Sequence, residues 1–443
     1  MVIDISPGKA GNALPLADTL VDKREQLEAF DPFGGGMQSL GHAINPATGQ
    51  PYATNPVLRG DYTRVLAEFW ADGPDSETPP GHWFRIYNDH VADHTLASDG
   101  WIEIELSLGR ALTPLDFDIL AYLALGGAMH DAAIAAWSVK AAYDYVRPVS
   151  AIRFMASHGQ SSDSTAKNYS TLGLPLMPSL IGVVMPGDRL AKVNPANIGK
   201  VALYAWRGPD AITDPQKDTA GVGWILAENW WPYQRPNFVT PAFAGYVSGH
   251  STFSRAAAEV LERLTGDAFF PGGMAEFTAA ANEFLVFERG PSNDVVLQWA
   301  TYRDAADQTS LSRIWGGIHP PADDLPGRRM GAIVGEGTWG RALGLFTGAN
   351  ASSDISTQAL ATTSVDNTPL AEPALVELEL TLDQLTSIQQ PTRTGCASTS
   401  DSRAGLEASW LLLLMLIVRR SCRFNREYFG AQLTLDHERS AET

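Results

Sequence analysis

An all-α fold with a helical bundle core is the class this sequence predicts, on three observations. Apolar residues recur at helical spacing in several long segments, strict alternation is scarce, and Pro/Gly-rich loops separate the periodic stretches. The chain has 443 residues, 44% hydrophobic and 19% charged, enough for one large core or two packed ones. Its formal net charge of -18 argues against nucleic acid as a general partner, because phosphate backbones are bound by clustered Lys and Arg. Against that background a local gathering of cations stands out.

Taken in order, "YTRVLAEFWADG" (Tyr62 to Gly73) has helical apolar spacing and stops at Gly. "DFDILAYLALGGAMHDAAIAAWSVKAAYDYV" (Asp116 to Val146) is Ala- and Leu-rich with a helical period, which predicts one long helix. The stretch 161–240 is punctuated by Pro and Gly and reads as loops and short helices; its aromatic residues, as in "LAENWWPYQRPNFVTP", favour order. "YVSGHSTFSRAAAEVLERLTG" (Tyr246 to Gly266) predicts a helix capped by Ser near its start, beginning near Ser251, with Gly266 just past its end. "MAEFTAAANEFLVF" (Met274 to Phe287) is a further helix candidate. The organisation expected is a helical domain over 1–348, a Ser/Thr/Pro-rich linker over 349–407, and a tail over 408–443 with a short apolar segment.

Both cysteines, Cys396 and Cys422, fall beyond the globular part, which therefore has neither a disulfide framework nor a thiolate metal site. The N-terminus shows no charged n-region followed by an apolar h-region, so no signal peptide is expected as written. Near the C-terminus, Gly395-Cys396, a polar spacer, the apolar run Ala408 to Val418 and Arg419-Arg420 resemble a bacterial C-terminal sorting signal. The run is short of the roughly 20 residues that span a bilayer. The resemblance implies cell-surface or periplasmic retention and membrane association through the tail. Without it the same stretch reads as a disordered tail with one apolar patch, and the location as cytoplasmic.

Three segments carry chemistry. In "KAAYDYVRP", Lys140 and Arg147 stand seven residues apart, close to two helical turns, which predicts both cations on one helix face with Pro148 ending that helix. Alone, such a pair reads as a solvated charge stripe. In the second, a helix opening at Ser248-Gly249-His250 presents unpaired N–H groups and the positive end of its dipole, an anion site. Gly249 permits close approach and His250 can exchange a proton there. In "SRIWGGIHPPADD", Gly316-Gly317 and Pro320-Pro321 predict a loop that turns His319 back toward Arg313, with Asp323 available to hold the imidazole.

Together these segments, Lys140…Arg147-Pro148, Ser248-Gly249-His250 and Ser312-Arg313…His319…Asp323, resemble the three-part signature of the vanadium haloperoxidases and the related acid phosphatases. Val247 departs from the pattern, which has Pro before Ser-Gly-His. Trp137, one helical turn before Lys140, and Phe243 resemble the aromatic halide pocket of the chloride-using members. The resemblance implies two packed four-helix bundles with long loops and a bound vanadate. It implies vanadate held by Lys140, Arg147, Ser248, Gly249 and Arg313, with His319 as the metal ligand. Catalysis would rest on His250 as general base, Lys140 polarising the peroxide, and His319. Hydrogen peroxide, a halide and a small organic acceptor are the implied substrates, and a homodimer the implied assembly. An acid phosphatase working through a phosphohistidine at His319 uses the same residues. A surface-anchored protein that binds an oxyanion without turnover is a third reading.

Overall fold

A computed structural model describes residues 42–71, 76–92, 104–105 and 108–348. They fall in the first of two compact units, Met1–Ser353. The predicted linker and tail, with Cys396, Cys422 and the sorting-signal reading, lie outside the described residues.

The first two helices, α1 (Arg59–Phe69) and α2 (Pro79–His90), flank the bundle. Thr78 caps α2 by accepting from the Gly81 N–H, with Pro79 in the first turn, where a missing N–H costs nothing. The next helix, α3 (Pro114–Tyr143), starts with a capping box between Thr113 and Asp116. Small side chains recur along it at Ala124, Ala128, Ala132 and Ala136, all fully buried. The next step of four on that stripe is Lys140, so the helix carries its ammonium inward rather than to solvent.

Asp144 takes a left-handed conformation (φ 43°) and stops α3 three residues before Arg147. Pro148 does not end this helix; it opens a new one, α4 (Pro148–Ser157), with Arg147 as its N-cap residue. The expectation of two cations on one helix face is thereby corrected. They converge from separate elements, because proline is tolerated in a first helical turn and the preceding residue is held extended.

Within the stretch read as loops and short helices, Ile181–Val183 (β1), Val201–Trp206 (β2) and Val222–Leu226 (β3) pair antiparallel into a three-stranded sheet, with α5 (Arg189–Val193) between β1 and β2. The central helix follows as α6 (Gly249–Thr265), starting two residues earlier than expected and ending at Gly266 with φ 70°. Met274 to Phe287 is not a helix. Ala275–Ala279 (β4) pairs antiparallel with Val295–Trp299 (β5). The Ala-rich composition is overridden by tertiary context: Ala275 and Ala279 face inward while Glu276 points out, the period of a strand.

Two long helices complete the domain, α7 (Tyr302–Trp315), capped by Thr301 and Asp304, and α8 (Pro321–Thr347). Among the described residues α3, α6, α7 and α8 form one four-helix bundle with α6 at its centre. The α6–α8 contact is set by glycine. A Cβ on Gly327, Gly331 or Gly335 would lie 2.8, 2.4 or 2.5 Å from the carbonyl oxygens of Ser248, Thr252 and Ala256. Both series step by four, so the two backbones touch along matched faces.

Candidate active site

The starts of α6 and α8, the end of α3 and the cap of α4 meet at one end of the bundle. Lys140 is 3% exposed and donates to the carbonyls of Ala244 (2.9 Å) and Gly245 (2.8 Å). Arg147 donates from Nε to the Phe243 carbonyl (3.0 Å) and from a terminal nitrogen to His319 Nε2 (2.9 Å). The 243–245 carbonyls thus steady both cations from behind. Gly245 allows that closeness, since a Cβ there would sit 2.9 Å from Asp323 Oδ2. Arg313, buried on α7, accepts at its carbonyl from the N–H groups of Ile318 (3.0 Å) and His319 (3.3 Å). That is the predicted turn back of the His319 loop.

His319 is held at both nitrogens. Its Nδ1 lies 2.7 Å from Asp323 Oδ2, and its Nε2 faces the Arg147 guanidinium. A guanidinium only donates, so Nε2 carries the lone pair and Nδ1 the proton. Burial first, then Arg147, Lys140 and Arg313, hold the imidazole well below its ordinary pKa, and it stays neutral. The same crowding lowers Lys140 to about 7, by burial and then Arg147, and Arg147 to about 10, by burial. Burial raises the Asp323 carboxyl to about 6 against the pull of Lys140 and Arg147. Lys140 and Arg147, both buried, share Asp323 as the nearby acid, an electrostatic field that an incoming anion relieves.

Ser248 caps α6. Its N–H donates to the Asp323 carbonyl (2.9 Å), and its Oγ accepts from the Ser251 N–H (3.3 Å) and lies 2.9 Å from Ser251 Oγ. Ser251 in turn donates to Asp324 (2.7 Å). The hydroxyl is therefore engaged in the helix start, while the Gly249 and His250 N–H groups have no preceding turn to bond to. A Cβ on Gly249 would press on Trp137 at 3.0 Å. His250 donates to the Trp70 carbonyl, leaving Nε2 buried and without a partner. Burial, then Arg313 and His82, keep this imidazole well below its ordinary pKa.

Trp137 and Phe243 stand together at 5.1 Å between ring centroids, 40% and 41% exposed, with the Lys140 ammonium 5.7 and 5.3 Å from the two rings. A cavity of about 270 Å³ is lined by His319, Tyr145, Trp230 and Pro320 among others. Among the described residues no group of three or more His, Cys, Asp and Glu could hold a metal ion. One imidazole ringed by cations and helix N–H groups offers instead the donors and charge that a tetrahedral oxyanion could use. Sequence reasoning missed Trp70, His82 and Asp324; Asp324 had a local signal, its four-residue spacing to Arg328, which it binds at 2.9 Å.

Residues 120–348, just over half of the chain, match the family model described as VCPO second helical-bundle domain. The chain belongs to the vanadium haloperoxidase family. Solved structures similar to it include a bacterial vanadium-dependent chloroperoxidase in holo form, at 16% identity and TM-score 0.34, covering 69% of this chain and 60% of that one. The apo form follows at 15% and 0.35, covering 69% and 61%. A bacterial vanadium-dependent iodoperoxidase follows at 19% and 0.32, covering 63% and 43%. The match thus spans about 60% of the chloroperoxidase chains. No curated protein matches the chain. Where the family pattern has Pro before Ser-Gly-His, this member has Val247, fully enclosed and following a cis peptide bond from Tyr246.

Proposed function

We propose that the chain is a vanadate-dependent haloperoxidase, oxidising halide with hydrogen peroxide to hypohalous acid or its equivalent. The observation that carries this reading over phosphate-ester hydrolysis is the half-exposed Trp137–Phe243 pair against the Lys140 ammonium. An aromatic wall beside one cation shelters a small anion such as halide. To the leaving alkoxide of a phosphate ester it offers ring faces and no partner.

The donor set suits vanadate. His319 Nε2 would hold the metal, and Lys140, Arg147, Arg313 and the Gly249 N–H would neutralise its oxygens. Ser248 contributes by fixing the helix start that aims the Gly249 N–H. Bound vanadate supplies Lewis acidity toward peroxide. Asp323 keeps the His319 lone pair directed into the cradle by holding the Nδ1 proton. His250, neutral and with a buried Nε2 lacking a partner, can take the proton that peroxide gives up. Lys140 uses two of its three N–H groups on the 244 and 245 carbonyls, and the third can polarise a peroxide oxygen.

The test is bromide oxidation by hydrogen peroxide on the full chain, stripped of phosphate, with and without added vanadate. Vanadate-dependent turnover, inhibited competitively by phosphate, is the expected result. Aryl-phosphate hydrolysis without bromide oxidation would instead make His319 a phosphate-accepting nucleophile. Oxyanion binding with neither activity would leave a binding protein.

A further inference from the structure

A second cavity, of about 510 Å³, opens between the three-stranded sheet and α5, far from the oxyanion cradle in its lining residues. The volume is in the range of small-molecule sites. Alternation gives the sheet two different faces. Val201, Leu203 and Ala205 of β2 turn to one side and pack with Ile225, Ala227 and Trp230. On the other side Leu190 and Ala191 of α5 cover Ala202. Tyr204 and Trp224, which stand opposite each other on β2 and β3, line the part that stays open, with Trp224 36% exposed. The Trp224 ring lies 3.8 Å from where a Cβ on Gly182 would stand, two strands away on β1. Strands are about 4.8 Å apart, so the indole lies along the sheet across β2 rather than standing off it. Tyr204 meets it edge-on, 5.6 Å between centroids.

The charge around this aromatic platform is unbalanced. Arg189, at the start of α5, donates to the Trp224 carbonyl (3.4 Å). Arg207, just past β2, donates from Nε to the Ala220 carbonyl. A guanidinium has five N–H groups, so each arginine keeps donors open. Both are exposed and line the cavity, and among the described residues neither pairs with a carboxylate. The one acid in the lining is Asp188, which accepts from the Met185 N–H (2.7 Å). Two cations against one acid make the lining positive, on a chain whose net charge is -18. Such a cleft draws in small anions, and its donors are open to them.

We propose that this cleft binds an aromatic carboxylate, its ring on the Trp224–Tyr204 platform and its carboxylate taken by the open N–H groups of Arg189 and Arg207. The planar guanidinium matches a carboxylate in two-point contact, and the indole supplies a ring face. The cleft shares no lining residue with the oxyanion cradle, and the proposal does not rest on the haloperoxidase reading.

The experiment titrates the full chain with 2-naphthoate, with its neutral counterpart 2-naphthamide, and with decalin-2-carboxylate, which keeps the charge and loses the aromatic ring. Isothermal titration calorimetry reads the affinities. Naphthoate is expected to bind about tenfold more tightly than naphthamide and about fivefold more tightly than the decalin acid. Arg189→Gln and Arg207→Gln are each expected to weaken naphthoate about fivefold, the upper end for an exposed ion pair, and to leave naphthamide unchanged. Trp224→Ala is expected to weaken both aromatic ligands alike. All three side chains are exposed, so the variants should fold, and their melting temperatures check it. No saturable naphthoate binding, or equal affinity for either comparison ligand, would overturn the proposal. So would a preference for naphthoate that survives in the Arg189→Gln/Arg207→Gln double variant, since the carboxylate would then be held elsewhere.

Discussion

Raising the pH from 7 to 8 is expected to weaken anion binding at the cradle about fivefold. The cause is Lys140, whose ammonium is held down to about 7 by burial and by Arg147. An anion favours the protonated form, so binding raises that pKa and takes up a proton. The sign follows. Below pH 7 the lysine is charged before the anion arrives and affinity is flat; above 7 part of the affinity goes to protonating it. From pH 7 to 8 the penalty factor changes from 1 + 1 to 1 + 10, about 5.5-fold or ~1 kcal/mol. The window is chosen because its neighbours are quiet there: Asp323 titrates near 6 and Arg147 near 10. Sulfate is the probe, since its charge is constant across this range. Isothermal titration in two buffers of different ionisation enthalpy reads both the affinity and the proton taken up. Lys140→Arg, charged throughout, is expected to bind sulfate equally at both values. A wild-type affinity unchanged between pH 7 and 8, with no proton uptake, would refute the assignment of a half-charged buried lysine.

His319→Ala is expected to abolish vanadate retention, and halide oxidation with it, as measured by equilibrium dialysis and turnover. His250→Ala is expected to keep the anion while slowing turnover by roughly 10²–10⁴, the span of a lost general base; equal loss of binding in both variants would contradict the division of roles. Gly331→Ala places a methyl 2.4 Å from the Thr252 carbonyl and is expected to destabilise by about 1–3 kcal/mol. Gly337→Ala on the same helix meets nothing within 4 Å and is expected to stabilise by about 0.5–1 kcal/mol, so urea melts should shift in opposite directions. Arg64 is fully buried between Asp61 and Glu288. Arg64→Ala strands both carboxylates and is expected to cost about 3–5 kcal/mol, read in the same melts.

The helical class and two local turns of the candidate site were legible in the sequence, while the strands and the convergence of Lys140 with Arg147 were not. Ser-Gly-His at a helix start and His319 between Gly-Gly and Pro-Pro are local patterns whose geometry follows from capping and turn chemistry, and both are seen. Gly266 likewise marks a helix end by its need for positive φ. Arg147 was misplaced because a proline that ends one helix and a proline that starts another look alike in a short window. Only the left-handed Asp144 three residues earlier separates them, and aspartate is not obliged to take that conformation. The β4–β5 hairpin was missed for a different reason. Ala275 to Ala279 gains its strand character from Val295–Trp299, sixteen or more residues away, and local spacing contains nothing of that partner. His82 and Trp70 reach His250 from α2 and the end of α1, through contacts that no spacing encodes.

The backbone contact between α6 and α8 bears on how the cradle tolerates change. Ser248 and Gly249 open one helix, His319 and Asp323 the other, and the two helices meet carbonyl to glycine for three consecutive turns below them. The nearest atom to each glycine in that seam is a backbone carbonyl, with only the bases of side chains beside it, so a volume lost elsewhere in the core has little purchase on the distance between the two helix starts. Drift of the chain under mutation should therefore erode its melting point well before it detunes its anion site. If the proposed function holds, variants that keep the three glycines are the ones in which the aromatic wall can be rebuilt for a different halide.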